Sequence, residues 1–225
     1  MIGYYADKLY GDRLKRCYDM APPRIQQYLV GEMDYVARYL VPGESVLELG
    51  CGYGRVMKYL SERAGAVYGI DISAANIESA RLFLRRECNC HLAVMDAIRL
   101  AFADHSFDHV VCIQNGISAF HVAQKELIRE SVRVAKGNGK VYFSSYSPKI
   151  WQHRLEWFEL QAREGLIGEI DRDRTRDGVI ACRDGFVATT ITPEQFRGIV
   201  MGVPVTFRIE EVDESSLFFI LNPAL

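Results

Sequence analysis

The stretch "SVLELGCGYGRV", Ser45–Val56, decides how this chain is read: an apolar run of strand length stops in a cluster of glycines. Gly50, Gly52 and Gly54 let the backbone bend sharply and approach a ligand with no Cβ in the way. From Arg55 onward a helix is expected, with its free N–H groups pointing into the space the turn opens. A dinucleotide turn follows G-x-G-x-x-G/A and sets a pyrophosphate on the helix N-terminus. Here the third glycine comes one residue early, and Arg55 fills the place that pattern gives to glycine or alanine. Glu48, just before the turn, would repel a pyrophosphate and attract a cationic amino acid. The turn suits a ligand with a ribose and a positive group better than one with phosphates.

Outward from this turn, short apolar runs alternate with amphipathic segments of helix length as far as Tyr146. The expected strands are "SVLELG", "AVYGID", "HLAVMD", "FDHVVCIQ" and "GKVYFSSYS". Between them, "RVMKYLSER", "AANIESARLFLRREC" and "AQKELIRESVRVAK" carry apolar residues at helical spacing. This alternation predicts an α/β, doubly wound, mostly parallel sheet with helices on both faces. At the C-terminal end "VTFRIEEV" and "SLFFILN" are separated only by "DES". So short a link cannot carry a parallel crossover, so the last strand must be antiparallel.

Two regions lie outside that framework. Residues 1–44 read as a helical cap: "DKLYGDRLKRCYDM", a break at Pro22-Pro23, then "RIQQYLVGEMDYVARYL". Residues 147–191 read as a cover, with Trp151, Leu155, Phe158 and Ala162 on one helical stripe and Asp184-Gly185 as a two-residue hairpin signal. Thr192, Pro193 and Gln195 then open a helix with a capping box. The expected organisation is one domain over 1–225, with its core at 45–146 and its final helix and hairpin at 192–225.

The 225 residues are 49% hydrophobic and 25% charged, with a net charge of −2 and dispersed basic residues. That balance leaves no electrostatic footprint for nucleic acid or an anionic membrane. The apolar runs are far shorter than the ~20 residues of a membrane-spanning helix, and the N-terminus lacks a secretory apolar segment. A cytoplasmic protein, monomeric or homodimeric, is expected. The six cysteines read as reduced thiols, and only Cys88 and Cys90, in "CNC", resemble a soft-metal pair. No second pair lies nearby, so no metal site is expected.

"VLELGCGYGR" resembles the first motif of the class I S-adenosylmethionine-dependent methyltransferases, E/D-x-G-x-G-x-G. "VYGIDIS" resembles the second motif, "VMDAIRLAFADHSFDHVVCIQNGISAF" the third and fourth, and "GNGKVYFSSYS" the fifth. The resemblance covers residues 45–146 in order, and the reversed last strand of a seven-stranded sheet fits it as well. It implies S-adenosyl-L-methionine as cofactor. The backbone from Gly50 through Cys51 and Gly52 to Gly54 would border the methionine part, with Glu48 near its amino end. Asp71 would accept both ribose hydroxyls and Ile72 would pack on the adenine. Asp96 would accept from the adenine amino group, beside the Ala97 backbone. Gln114 and Asn115 would face the methionine backbone and the reacting sulfur.

Plainer roles stand beside these. Asp71 and Asp96 could cap the helices that follow them. Glu48 could pair with an N-terminal arginine, and Ile72 could be core. On the acceptor side the candidates are Tyr4, Tyr5, Tyr18, Arg24, His121, Tyr146, Trp151 and His153. Asn115 and Tyr146, at strand ends, are the stronger ones, and His121, expected to open a helix, is a candidate general base. "QNGI" after the fourth strand departs from the N/D-P-P-Y of amino-methylating nucleic-acid enzymes. It also lacks the aspartate that metal-dependent catechol-type enzymes place there. The resemblance therefore points to methyl transfer to a small-molecule acceptor. Alternatives are a cofactor-binding regulatory module without turnover and another transferase of the same fold.

Overall fold

A computed structural model describes Tyr4 and residues 8–224; Tyr5 lies outside the described residues. Five strands run through the core in chain order: β1 Ser45–Leu49, β2 Ala66–Asp71, β3 Cys90–Val94, β4 Phe107–Cys112 and β5 Ala135–Tyr146. A short pair, β6 Ile180–Ala181 and β7 Val187–Ala188, precedes the final hairpin of β8 Val205–Val212 and β9 Ser216–Pro223. The main sheet has the order β3-β2-β1-β4-β5-β9-β8. β1 to β5 pair in parallel, while β9 pairs antiparallel with both β5 and β8. The last strand is thus the reversed one, and it slots inside the sheet rather than extending its edge.

The period-two alternation of strand side chains builds two cores, one on each face. On one face Leu47, Leu49, Val110, Phe143 and Phe219 pack under α6 (Gln124–Val134) and α8 (Pro193–Val200). On the other, Val46, Val67, Val111, Tyr142 and Phe218 meet α2 (Pro23–Ala37), α3 (Arg55–Ser61) and α4 (Ala74–Phe83). Glu48 alternates onto the same face as Val46 and is buried there. A third apolar cluster joins α1 (Asp12–Asp19) and α2 to α7 (Trp151–Arg163) and the β6–β7 hairpin, outside the sheet. Among the described residues no helix is long and apolar enough to cross a membrane.

Several local expectations hold in detail. Thr192 accepts from the Gln195 N–H, and the Gln195 side chain accepts from the Thr192 N–H, closing the box that starts α8. Others are corrected. Within "DKLYGDRLKRCYDM" the described helix spans only Asp12–Asp19: Lys8, Leu9 and Tyr10 are not helical, and Gly11 takes φ +55° before the helix starts. Asp184-Gly185 is not a two-residue turn. Cys182 pairs with Phe186 across a three-residue loop, with Gly185 at φ +97° in the bulge position. The buried face of α7 is Arg154, Trp157, Phe158 and Gln161, one step round from the expected stripe. His121 opens no helix: it follows α5 (Gly116–Ala119) in a left-handed conformation, and α6 starts at Gln124.

Candidate active site

The strand order reverses beside β1, which has β2 on one side and β4 on the other. At such a switch point the loops leave in opposite directions and open a crevice at the carboxyl ends. A cavity of about 350 Å³ lies there. Glu48, Gly50, Cys51, Gly52, Asp71, Ile72, Asp96, Ala97 and Gln114 are all on its wall. Gly54 is the expected cofactor position that is not. It caps α3 at φ +92°, where an added Cβ would stand 2.7 Å from Leu84, so its role is to seat the helix against α4. Gly50 lies at φ +73°, and a Cβ there would come within 2.5 Å of the Phe120 ring. Only glycine allows the turn to pass under that ring.

The acidic groups differ in what they already hold. Asp71 Oδ2 accepts from the Gly52 N–H at 3.0 Å, and Oδ1 accepts from the Ser73 N–H at 2.8 Å and the Asn76 amide at 3.2 Å. Burial raises its pKa, and these three donors oppose the rise. The helix cap of α4 is Ser73, so Asp71 ties that cap to the glycine turn. Glu48 is different: its Oε2 is buried without a hydrogen-bond partner among the described residues. Burial pushes its carboxyl up to about 8, against the pull of Arg55. No ion pair joins it to an N-terminal arginine among the described residues. Asp96 accepts from the Ile98 N–H at 3.1 Å. Ile72 is 57% exposed and lies at the cavity, so it is not core.

At the end of β4, Gln114 and Asn115 take φ +57° and +65°, a rare pair of consecutive left-handed residues. The strain is held by a carboxylate that no motif singles out. Glu32, fully buried on α2, accepts from the Gln114 N–H at 2.5 Å, from Ser144 at 2.9 Å and from Ser216. Burial raises it to about 7. Arg55 donates to Gln114 Oε1 at 2.5 Å and lies 4.5 Å over the Tyr18 ring. The amide of Asn115 is engaged by the protein itself: it donates to the Thr189 carbonyl and accepts from Ser145, both at 2.9 Å. Asn115 therefore ties β4 to β5 and to the segment after β7.

Of the acceptor-side candidates, Tyr18, Tyr146 and His121 line the cavity, His121 as an exposed residue. The others do not. Tyr4 donates to Asp184 at 2.6 Å, Arg24 is bound to Asp213 at 2.7 Å, Trp151 lies by Arg154, and His153 pairs with Glu156 at 3.6 Å. Cys88 and Cys90 are also off the cavity, Cys90 within β3. Residues that the sequence did not mark stand in their place: Leu14 and Cys17 from α1, Arg55, Phe120, and Trp157 and Gln161 from α7. Arg55 alone had a readable signal, as the cation directly after the glycine turn.

Residues 46–139 match the family model described as a methyltransferase domain. A 2-methyl-6-phytyl-1,4-hydroquinone methyltransferase of Synechocystis is 29% identical over 159 residues, 66% of this chain and 48% of that protein. A ubiquinone biosynthesis O-methyltransferase of Neisseria meningitidis serogroup A is 31% identical over 148 residues, 63% of this chain and 58% of that protein. The chain thus spans about half the length of the curated relatives it matches. The magnesium protoporphyrin IX methyltransferase of Synechocystis, solved with S-adenosylhomocysteine, shares the fold at TM-score 0.66 and 19% identity, over 98% of this chain and 97% of that one. The motif order and the strand order agree with the family match, which likens residues 46–139 to a methyltransferase domain.

Proposed function

We propose that this protein transfers the methyl group of S-adenosylmethionine to a small-molecule acceptor in the cavity at the carboxyl ends of β1, β2 and β4. The observation that carries this reading is Glu48 Oε2, an unpartnered buried carboxylate oxygen beside a glycine cradle. Burying a carboxylate without a partner is costly, and an ammonium arriving there removes the cost. Arg55 on the same wall offers the opposite charge, so the two side chains match the zwitterion of an α-amino acid. Asp71 and Asp96, at the ends of successive strands, are the acceptors for ribose hydroxyls and an adenine amino group. Ile72, apolar and exposed at the cavity, covers the adenine face.

When bound, the cofactor supplies an already activated methyl group on a sulfonium. A proton leaves the acceptor if its nucleophilic atom carried one. What the chain contributes is alignment and exclusion of water. Gln114, held by Glu32 and Arg55, fixes the wall facing the methionine. Tyr146, from the end of β5, presents its ring toward the acceptor, where an aromatic face favours positive charge. His121, at the exposed rim, is the group placed to carry a proton outward. α1 and α7 close the site: both contribute to its wall, and Trp157 Nε1 donates to the Cys17 carbonyl at 2.8 Å to join them. A small-molecule acceptor is supported by the enclosed site and by the hydroquinone, ubiquinone and porphyrin named for the relatives and the structural neighbour.

Calorimetric titration with S-adenosylmethionine and S-adenosylhomocysteine tests this. Binding by the wild type, weakened about 10- to 100-fold by Asp71→Ala through loss of charge-assisted hydrogen bonds, is expected. Absence of binding, or a Kd indifferent to that substitution, overturns it.

A further inference from the structure

Past the cofactor's share of the wall, the cavity continues beneath α1 and α7, where Cys17, Tyr18, Tyr146, Trp157, Phe158 and Gln161 line it. Four of these are aromatic, with Tyr18 and Trp157 at 6.1 Å and Trp157 and Phe158 at 5.5 Å between ring centroids. None is ionised near neutral pH: burial pushes the Cys17 thiol and the Tyr18 phenol up to about 12, and the Tyr146 phenol higher still. Of the nearby guanidinium groups, Arg55 donates to Gln114 and is the one read above as answering the cofactor's carboxylate. Arg154, off the cavity wall, donates to the carbonyls of Gly178 and Ala188 while lying 4.4 Å over the Tyr146 ring. A charged molecule entering this half would lose its hydration and gain no unengaged counter-charge.

Gln161 supplies the second observation. It lines the cavity and is only 2% exposed, yet its side-chain amide makes no hydrogen bond to a described residue. Buried amides are ordinarily satisfied, and one left open toward a cavity is completed by what enters it. The amide has a donor and an acceptor side by side, and a hydroxyl is the small group that can answer both.

We propose that the methyl acceptor is a neutral, flat ring compound bearing a hydroxyl, seated among Tyr18, Tyr146, Trp157 and Phe158 with that hydroxyl hydrogen-bonded to Gln161. This rests on the reading of the cavity as a cofactor and acceptor site. A ring edge-on or offset against these side chains gains both apolar burial and aromatic contact. Gln161 is then the residue that distinguishes a hydroxylated ring from a bare one.

The test uses the full chain and begins by titrating S-adenosylhomocysteine, which probes the cofactor reading by itself. The loaded protein is then titrated with three rings of one size and different charge: 4-hydroxybenzyl alcohol, 4-hydroxybenzoate and tyramine. The neutral alcohol is expected to bind at least about tenfold more tightly than either ion. Gln161→Leu, similar in shape, should weaken the alcohol about 3- to 10-fold. It should leave unchanged both the affinity for S-adenosylhomocysteine and the affinity for anisole, a ring without a hydroxyl. Equal or tighter binding of an ion, no binding of the alcohol, or an alcohol affinity untouched by Gln161→Leu overturns the proposal. The charge series on the wild type decides even if the variant does not fold. Failure of S-adenosylhomocysteine to bind removes the cofactor reading first, in a titration separate from the ring series.

Discussion

Two buried glutamates make pH the most direct probe of single residues. Burial raises Glu32 from 4.5 to about 7. Between those values the folded protein keeps a proton that the unfolded chain has released, so stability falls as pH rises through the window. Glu48, raised to about 8, extends the fall in the protein without ligand. Thermal melts at intervals from pH 5 to 8 should show a declining midpoint, and Glu32→Gln should flatten the lower part of the decline. A midpoint that climbs over this range would contradict the burial of both groups. The ligand inverts the sign at Glu48. An ammonium prefers the ionised carboxylate, so affinity for S-adenosylhomocysteine should increase as pH approaches about 8. Calorimetry in buffers of different ionisation enthalpy should detect a proton released on binding, and Glu48→Gln should abolish that release. The glycine turn and its carboxylates were legible in the sequence because their spacing is local. Glu32 was not legible, because its partners Gln114, Ser144 and Ser216 are remote in sequence and meet it only through packing.

The elements divide in the same manner. Capping is a matter of a few consecutive residues, so the start of α8 could be read from Thr192, Pro193 and Gln195. Thr192→Ala should cost about 1 kcal/mol, a drop of about 2–4 °C in melting midpoint for a chain of this size, measurable by calorimetry. The turn after β1 is more demanding. Gly50→Ala meets both the positive φ and the Phe120 ring at 2.5 Å. It should destabilise by about 1–3 kcal/mol and weaken cofactor binding, because the ring must move within the site. Wild-type affinity in that variant would show the ring to be free to shift. The hairpin between β6 and β7 marks where local reading stops. Asp184-Gly185 does signal a turn, but the loop length was set by which residues pair, Cys182 with Phe186, and not by the dipeptide. The face of α7 shifted for a similar reason: Arg154 and Gln161 turn inward because carbonyls, rings and a cavity await them there, which no hydropathy pattern registers.

For the whole molecule, the ligand is expected to add to the stability of a site assembled from distant parts. Saturation with S-adenosylhomocysteine at about 100 times its Kd should contribute about 2.7 kcal/mol, raising the melting midpoint by about 5–10 °C. A midpoint unmoved by ligand would mean that the turn, Asp71 and the β4 end do not act as one site. The sequence by itself determined the alternation of strands and helices, the reversal of the last strand, the glycine turn and the acidic ends of β2 and β3. Each of these is written in neighbouring residues, through side-chain period, link length and backbone freedom. Only the tertiary structure decided which face of α7 lines the cavity, that Asn115 is held by Thr189 and Ser145, and that Glu32 braces the end of β4. Those outcomes depend on hydrogen bonds and close packing between segments far apart in the chain, and such contacts have no signature until the chain has folded.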